Sequence, residues 1–402
     1  MKANDPGDAR DAPPAQWEAL LETLREAGME LFRSGAPSSP RDRAEGIRYL
    51  LRFLAAGRAI CVEHADPDYP TFARMMDADM PWGLDNPDCL YLFAPITADG
   101  VYRIGGDRGT AAHFDLQVNW GHYAAGEISG WGTLASIDGD ALAAAPDGSF
   151  LLTLGGTPGE GPWLPLPATA SWIQVRQYFA DWERERPAEL WIERDGVCWP
   201  PPPLCPDAFA ARLERLAQWL TRTAALWDRM SRALVENLPA NFVHVVQPSS
   251  DDAGAGLAGQ AYGMGNFHCA PDEAVIVEFT PPACRYWSVA LANWWWESID
   301  LAVRQSSLNH CQARLDPDGV FRGVIAHDDP GVPNWLDPGG NPRGSLAIRF
   351  LRADAAPVIG FRVVPRDKLR AALPAETPAI TAAERAEQLR RRRRAAWRRY
   401  RR

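Results

Sequence analysis

The sequence predicts an α+β protein that is mostly antiparallel β. We expect two β-sandwich or jelly-roll-like units, with an N-terminal helical pair, a linking helix and a C-terminal basic helix. Apolar and polar residues alternate along many short segments, as in half-buried strands. Helical spacing is absent between most of these segments, which disfavours a parallel βαβ sheet. The 402 residues exceed one compact core, and 35 prolines and 33 glycines supply many turns.

The N-terminal region is predicted to be a helical pair behind a disordered start. Residues 1–15 are polar and proline-rich and lack periodicity. Apolar residues then recur at helical spacing between 17 and 57, and the loop SGAPSSPRD divides them into two runs. We therefore predict a helical segment over 16–80.

A first β-rich domain is predicted over 81–200, with strands near 89–96, 129–137 and 149–154. The segment 113–120 alternates cleanly. Its apolar face holds Phe114, Leu116, Val118 and Trp120, and its polar face holds His113, Asp115, Gln117 and Asn119. This pattern is typical of a half-buried antiparallel strand. Residues 171–185 return to helical spacing and predict a helix.

A linking helix and a second β domain follow. The linking region, 201–245, begins in a stiff run of prolines and carries a predicted helix over about 207–238. Residues 250–272 are rich in Gly, Ala and Asp and predict a long loop. A C-terminal β-sandwich is expected over 246–366. Its strands are predicted at 274–280, 286–295, 310–315, 319–326, 345–351 and 357–364.

The C-terminal segment, 367–402, is predicted to be a helical tail. Nine arginines lie between Arg390 and Arg402. Such a run can contact a polyanion, but nothing else in the chain supports that partner. We therefore expect a solvated terminal helix.

Composition argues against several classes of function. The net charge of −9 disfavours nucleic-acid binding, which needs a basic face. No stretch approaches 18 apolar residues, so no membrane span is expected. The seven cysteines are scattered without a CxxC spacing, and the N-terminus shows no signal peptide. We expect a soluble bacterial protein of the cytoplasm with reduced thiols, and a homo-oligomer stays open.

The most distinctive segment is a run of three tryptophans that ends at Glu297. If the preceding strand continues through this run, Asn293, Trp295 and Glu297 share one face, and Trp294 and Trp296 share the other. The first face begins apolar and ends polar, as expected where a strand opens from a core into a wet cavity. Large indoles that simply fill a core explain the run equally well.

Histidine His327 ends the apolar row of a second predicted strand, 319–327. The carboxylates of Asp328 and Asp329 follow and could orient its imidazole. The alternative is that Asp-Asp-Pro-Gly is an ordinary turn with side-chain caps.

Upstream, the segment SSLNHCQ contains Asn309 and His310. Its Ser–His pair lacks a GxSxG elbow, so a hydrolase triad is weakly supported. Glu297, His310 and His327 have no known metal-ligand spacing, and no cofactor is expected.

Two further segments carry candidates for ligand contact. Asn334 and Trp335 lie on a Pro/Gly loop after His327, where ligands are often met, although one buried indole could equally anchor that loop. Asn86 and Asp88 lie in DNPD ahead of a strand. They form either a capped turn or one wall of a crevice between the two domains.

The C-terminal half resembles the C-terminal domain of the domain-of-unknown-function family 1214. The resemblance is carried by FTPPACRYWSVALANWWWESID, RQSSLNHCQ, AHDDPGVPNWLDPGG and RGSLAIRF, and upstream by DNPDCLYLFAPI and YRIGGDRGTAAHFDLQVNWG. It extends over about residues 82–365. It implies a β-sandwich or jelly-roll-like architecture and no established reaction.

These observations favour a small-molecule enzyme with acid–base chemistry of the lyase, isomerase or hydrolase kind. Glu297, His310 and His327 are the candidate catalytic groups. The candidate ligand-binding residues are Asn86, Asn293, Trp295, Trp296, Asn309, Asn334 and Trp335. The alternative is a non-catalytic module that binds a carbohydrate- or lipid-like ligand. A third hypothesis, self-association, requires the tryptophans to face solvent.

Overall fold

The computed structural model describes residues 15–33, 36–247 and 259–400, and its strands form two units. The first comprises β1 (Ala73–Met76), β2 (Cys89–Pro95), β3 (Tyr102–Asp107), β4 (His113–Gly121), β5 (Trp131–Asp138), β6 (Ser149–Leu154), β7 (Trp163–Leu164), β8 (Ala170–Tyr178) and β9 (Glu189–Arg194). The second comprises β10 (Val243–Val246), β11 (Gln260–His268), β12 (Glu273–Phe279), β13 (Tyr286–Ala292), β14 (Ser307–Asn309), β15 (Phe321–Ile325), β16 (Trp335–Leu336), β17 (Arg343–Leu351) and β18 (Gly360–Pro365).

The two units have the same strand topology. The sheets of the first run β1-β2-β8-β4-β5 and β7-β6-β3-β9, and those of the second run β10-β11-β17-β13-β14 and β16-β15-β12-β18. Adding nine to each strand number of the first unit gives the second, so the fold is an internal duplication. Among the described strands, only β6–β7 and the equivalent β15–β16 pair in parallel. The predicted mostly antiparallel α+β class with two sheet-rich units is confirmed.

Three apolar layers separate the four sheets. An outer core fills each sandwich, and a central core lies between the two five-stranded sheets. Alternation sends neighbouring side chains to different cores. In β8, Val175 joins the outer core and Tyr178 the central one, and in β17 Ile348 and Leu351 divide in the same way. The five-stranded sheets are therefore buried on both faces.

The predicted helix over 171–185 is wrong. Ala170–Tyr178 is β8, and turns follow it. Trp172, Val175 and Phe179 do have helical spacing. A strand buried on both faces, however, carries apolar residues without alternation, and spacing alone cannot separate it from a buried helix.

The polar face of β4 is buried, which corrects the expectation of a half-buried strand. His113, Asp115, Gln117 and Asn119 are 1, 2, 0 and 3% exposed. This face lies toward the second unit across the central layer. Polar side chains at this interface must therefore find their partners within the protein.

The predicted loop over 250–272 contains a strand, β11, and its residues 250–258 lie outside the described part of the chain. Glycines hide this strand from the residue pattern. A Cβ atom at Gly265 would lie 1.8 Å from the carbonyl oxygen of Phe242, so the close approach of β10 requires glycine there. In the first unit, β1 precedes the predicted domain start at residue 81.

Four of the described α-helices pack against the central core, and the two nearest the C-terminus join separate apolar clusters. The helices are α1 (Ala15–Leu31), α2 (Pro40–Gly57), α3 (Pro206–Gln218), α4 (Ala224–Glu236), α5 (Leu369–Ala372) and α6 (Ala382–Tyr400). The predicted N-terminal pair is α1 and α2, and most of the predicted disordered start lies outside the described residues. The linking helix is α3 and α4, joined by a π-helical turn. No described helix is long and apolar enough to cross a membrane.

The arginine-rich helix α6 is not simply solvated, which corrects the prediction. Arg385, Arg392 and Arg399 recur every seven residues, so they lie on one face of the helix. They are 4, 8 and 5% exposed. The guanidinium carbons of Arg392 and Arg399 each lie 4.4 Å from the ring centroid of Trp182. This face docks α6 against both units.

Arg392→Met is expected to destabilise the protein by about 2 kcal/mol, because Arg392 donates to Leu301 O, Ser307 O and Ser307 Oγ. The substitution leaves these buried acceptors without a donor. Urea unfolding measures the change. Arg393→Met, at an exposed position of the same helix, is the matched control and should cost less than about 0.5 kcal/mol. Equal effects of the two substitutions would contradict the docking role.

Candidate functional site

A cavity of about 290 Å³ lies between the two five-stranded sheets. Aromatic rings form a large part of its wall, and a few polar side chains reach it. The aromatic residues are Trp82, Tyr91, Tyr123, Trp131, Tyr178, Trp227, Tyr262 and Trp296, and the polar ones are Asp85, Gln174, Arg176, Gln260 and Arg349. We call this space the central cavity.

Trp227 on α4 is the centre of the aromatic wall. Its ring centroid lies 5.5 Å from that of Trp296, 6.0 Å from Trp82 and 6.1 Å from Trp131. The Nε1 atoms of Trp131 and Trp227 are buried and have no acceptor among the described residues. The wall therefore combines flat apolar surface with indole N–H groups that have no acceptor among the described residues.

Two arginines reach the cavity from equivalent strands. Arg176 on β8 lies opposite Tyr91 of β2, and Arg349 on β17 lies opposite Tyr262 of β11. Each pair of strands is the counterpart of the other in the duplicated topology. The guanidinium carbon of Arg349 lies 4.8 Å from the ring centroid of Tyr262. The duplication thus places two buried cations beside one space.

Asp85 is the carboxyl group of the cavity wall. It is 6% exposed and accepts hydrogen bonds from Ser298 N at 2.9 Å and Ser298 Oγ at 2.8 Å. Burial raises the pKa of Asp85 to about 6, although these hydrogen bonds and the charge of Arg349 oppose the rise. A carboxyl with such a pKa can exchange a proton near neutral pH.

Glu297 lies apart from the central-cavity lining, and its fully buried carboxylate forms an ion pair with a partly exposed arginine. Its oxygens accept from Arg52 Nη1 of α2 at 3.0 Å and from Asn293 Nδ2 at 2.8 Å. Burial raises the pKa of Glu297 to about 7 against the charge of Arg52. The group ties α2 to the second unit.

The strand that was expected to carry Glu297 ends earlier, at Ala292. Residues 293–296 form a turn in which Trp296 has a φ of 59°. Asn293 Oδ1 accepts from the backbone N–H groups of Trp295 and Glu297, so an Asn-centred turn brings these residues together. The predicted cause of a shared location, strand alternation, is wrong, because the strand ends before these residues.

The three tryptophans separate into different surroundings. Trp296 lines the central cavity and donates from Nε1 to Ser345 Oγ at 2.9 Å. Trp295 instead stacks on Tyr49 at 5.7 Å and lines a groove of about 420 Å³ beside α1. All three are at most 6% exposed, so the run is not a solvent-facing patch for self-association.

Asn86 and Asn309 meet around Asp88, at the contact between the units. Asp88 accepts from Tyr286 Oη at 2.6 Å and from Asn309 Nδ2 at 2.9 Å, and Asn86 Nδ2 donates to Tyr286 Oη at 3.1 Å. The ring of His310 lies edge-on to Tyr286, 5.9 Å away. Burial lowers the pKa of His310, and Asp88 opposes this. The DNPD segment therefore joins the two units.

His327, Asn334 and Trp335 make contacts within the second unit. His327 Nε2 lies 2.9 Å from Cys269 O, and Trp335 Nε1 donates to Ala326 O at 2.8 Å. The side-chain amide of Asn334 makes two hydrogen bonds to the backbone of Arg314. Its Oδ1 accepts from Arg314 N, and its Nδ2 donates to Arg314 O. Trp335 was expected to form one wall with Trp295 and Trp296. The structure places the three indoles apart, because Trp335 belongs to a separate core cluster.

The predicted catalytic groups do not share partners. Glu297 bonds to Arg52, His310 packs on Tyr286, and His327 bonds to the backbone of Cys269. None of the three lines the central cavity. Among the described residues, no three His, Cys, Asp or Glu side chains lie close enough to hold a metal ion.

Comparison with known proteins identifies relatives by structure. The chain is similar to an uncharacterized protein from Burkholderia cenocepacia whose crystal structure is known. The two sequences are 32% identical, the structures superpose with a TM-score of 0.81, and the match covers 89% of this chain and 98% of that chain. The chain belongs to the same family as the Burkholderia cenocepacia protein. A protein from Vibrio parahaemolyticus is 12% identical with a TM-score of 0.44, over 78% of this chain and 97% of that chain. No family model and no curated protein matched, so the resemblance to family 1214 stays a prediction.

Sequence reasoning missed the two arginines of the central cavity. Each lies in a run that is otherwise rich in apolar residues, WIQVRQY around Arg176 and LAIRFL around Arg349. An arginine inside a buried strand is costly without a partner or ligand, and this was the available signal. Asp85 was recognised only as part of a turn.

Glu297→Gln is expected to reduce the loss of stability with rising pH. The folded-state pKa, about 7, lies above the ordinary value of 4.5, so the folded state holds this proton more tightly. The contribution of Glu297 is thus fully present below about pH 4.5 and is lost as the pH rises through about 7. The pKa of Asp85 is also raised, and Asp85 contributes equally to wild type and to Glu297→Gln. The difference between these two proteins therefore isolates the contribution of Glu297.

Urea unfolding at pH 5 and pH 7.5 checks this. Wild type should lose more stability between the two values than Glu297→Gln. Glu63→Gln, at an exposed ion pair with Arg58, serves as the control and should follow wild type. Parallel pH profiles for wild type and Glu297→Gln would show that the buried carboxyl does not titrate in this range.

Proposed function

We propose that the protein binds a small organic molecule in the central cavity. The observation that carries this proposal is the wall itself, in which eight aromatic side chains and two buried arginines surround about 290 Å³ between equivalent sheets. Ligand sites are typically concave and mostly apolar, with a few convergent polar groups that fix orientation. The central cavity has this composition.

The aromatic surface favours a ligand with a flat apolar part. The ring planes of Trp227 and Trp296 are inclined to each other by 31°, and both rings lie on the cavity wall. They therefore offer two adjoining indole faces. Stacking on such faces contributes about 0.5–1.5 kcal/mol beyond area burial. The indole N–H of Trp227 has no protein acceptor among the described residues, so a polar ligand atom can accept from it.

Acid–base catalysis on the bound molecule is the second candidate, and Asp85 favours it. Its carboxyl lines the same cavity, and its pKa of about 6 suits proton transfer near neutral pH. This assigns the proposed chemistry to Asp85 rather than to Glu297, His310 and His327, whose separate contacts do not bring them to one reacting group.

Trp227→Phe is expected to weaken ligand binding by about tenfold, because the smaller ring loses stacking area and the indole N–H. Thermal shift and tryptophan fluorescence against a panel of small organic acids, amides and alcohols identify binders, and calorimetry measures their affinity. Trp191→Phe, at an indole of the outer sheet that is 44% exposed, is the matched control and should bind like wild type. Equal affinities of both variants would move the ligand away from this wall.

Asp85→Asn should keep ligand binding and reduce any turnover of the bound molecule by at least about a hundredfold, the usual contribution of a general acid or base. The measurement is product formation from molecules that bind in the panel, followed by NMR. If wild type binds these molecules and converts none, the protein is a binder and the catalytic candidate fails. If Asp85→Asn retains full turnover, Asp85 is not the proton-transfer group.

A further inference from the structure

The two arginines of the central cavity differ in one neighbour. On β4, Asp115 lies directly opposite Arg176, and on β13 the equivalent position opposite Arg349 is Ser288. Directly opposite residues of an antiparallel pair have Cβ atoms about 4.5–5.5 Å apart on the same face. A carboxylate at this position can neutralise its arginine, whereas a serine cannot.

Arg349 consequently forms no ion pair with a carboxylate among the described residues, although Asp85 of the same wall lies close enough for their charges to interact. Among the described residues, no carboxylate lies within 4.0 Å of the nitrogens of Arg349, and the residue is only 5% exposed. Its Nη2 donates to the neutral acceptors Leu84 O at 2.7 Å and Tyr262 Oη at 3.1 Å, and its Nη1 has no acceptor. Asp85, in the same wall, is held by Ser298 through both of its oxygens.

A buried guanidinium that has no carboxylate in contact and one nitrogen without an acceptor is costly, because burial removes its hydration and returns little in exchange. An anionic ligand group restores that charge and adds charge-assisted hydrogen bonds, which are roughly twice as strong as neutral ones. Arg176 has less need of such a group, since Asp115 interacts with it electrostatically and its Nη2 donates to Gln174 Oε1 at 2.7 Å. The duplicated wall is therefore asymmetric in charge.

We propose that the ligand of the central cavity is an organic acid with a single carboxylate, which pairs with Arg349. Its flat apolar body lies against Trp227 and Trp296. This inference rests on the proposed binding function and specifies the class of ligand. A second anionic group is disfavoured, because Asp115 already interacts with the other arginine, Arg176, and Asp85 adds a carboxyl to the cavity wall.

Ser288→Asp tests the inference by placing in the second unit the carboxylate that the first unit has. The probes are benzoate and phenylacetate with their neutral isosteres, benzamide and phenylacetamide, at pH 7.5 and constant ionic strength. Binding is measured by calorimetry and thermal shift. Wild type should bind the acids at least about tenfold more tightly than the amides, and Ser288→Asp should abolish this preference.

Ser288→Asn is the matched control, since it adds a side chain of the same size without charge. It should retain a preference for acids over amides. Because Ser288→Asp can fail to fold for reasons of space, Arg349→Met provides an independent route. It removes the cation and should also abolish the preference, while Arg349→Lys should keep part of it.

The outcomes separate this inference from the proposed function. Amides that bind wild type as tightly as acids, or an acid preference that survives in Arg349→Met, would overturn the inference and leave the cavity a binding site. If neither acids nor amides bind and native mass spectrometry finds no small molecule on the purified protein, the proposed function fails and the inference fails with it.

Discussion

The structure depends on one constraint, which is that both five-stranded sheets bury their inner faces against each other. Polar residues on these faces are largely shielded from bulk water, so their hydrogen-bond partners come mainly from the opposing unit or from the layer between. The segment 84–88 meets much of this demand. Leu84 N donates to Trp296 O, Asp85 accepts from Ser298, and Asp88 accepts from Asn309. A short stretch of the first unit therefore fixes the position of the second.

The central cavity follows from the same constraint. Two copies of one topology face each other, and their strands deliver equivalent side chains to a shared space. Helix α4, a connecting element, closes that space with Trp227, while the two arginines come from the sheets, on β8 and β17. Divergence between the copies at a single strand position is then enough to give the two sides of the space different chemistry.

Periodicity identified most of the fold. Alternation located β4, whose apolar and polar faces pack against different layers, and helical spacing located α1 and α2, which each have one face toward solvent. It failed at β8, which is buried on both faces, and at β11, where glycines replace the residues that would alternate. The duplication was also hidden, since equivalent strands share position and hydrogen bonding without a shared run of residues.

The candidate site was only partly predictable. The tryptophan run was correctly recognised as unusual, but which indole reaches the cavity depends on the turn at Asn293, and the pairing of Asp85 with Ser298 spans 213 positions of the chain. Contacts of that separation leave no local pattern. The same holds for Glu297, whose partner Arg52 belongs to a helix that periodicity described without showing what it packs against.

Helix α6 has a consequence for how the molecule is assembled. Arg399 donates to Pro87 O in the first unit, and Arg392 donates to Leu301 O and Ser307 O in the second. The helix follows both units in the chain, so during synthesis its binding surface exists only once both sandwiches have emerged and come together. Each sandwich can form its own core earlier. The carbonyl groups of Pro87 in the first unit and of Leu301 and Ser307 in the second unit, however, face the helix together only when the two units are joined. Full docking of α6 therefore requires that the two units are correctly paired.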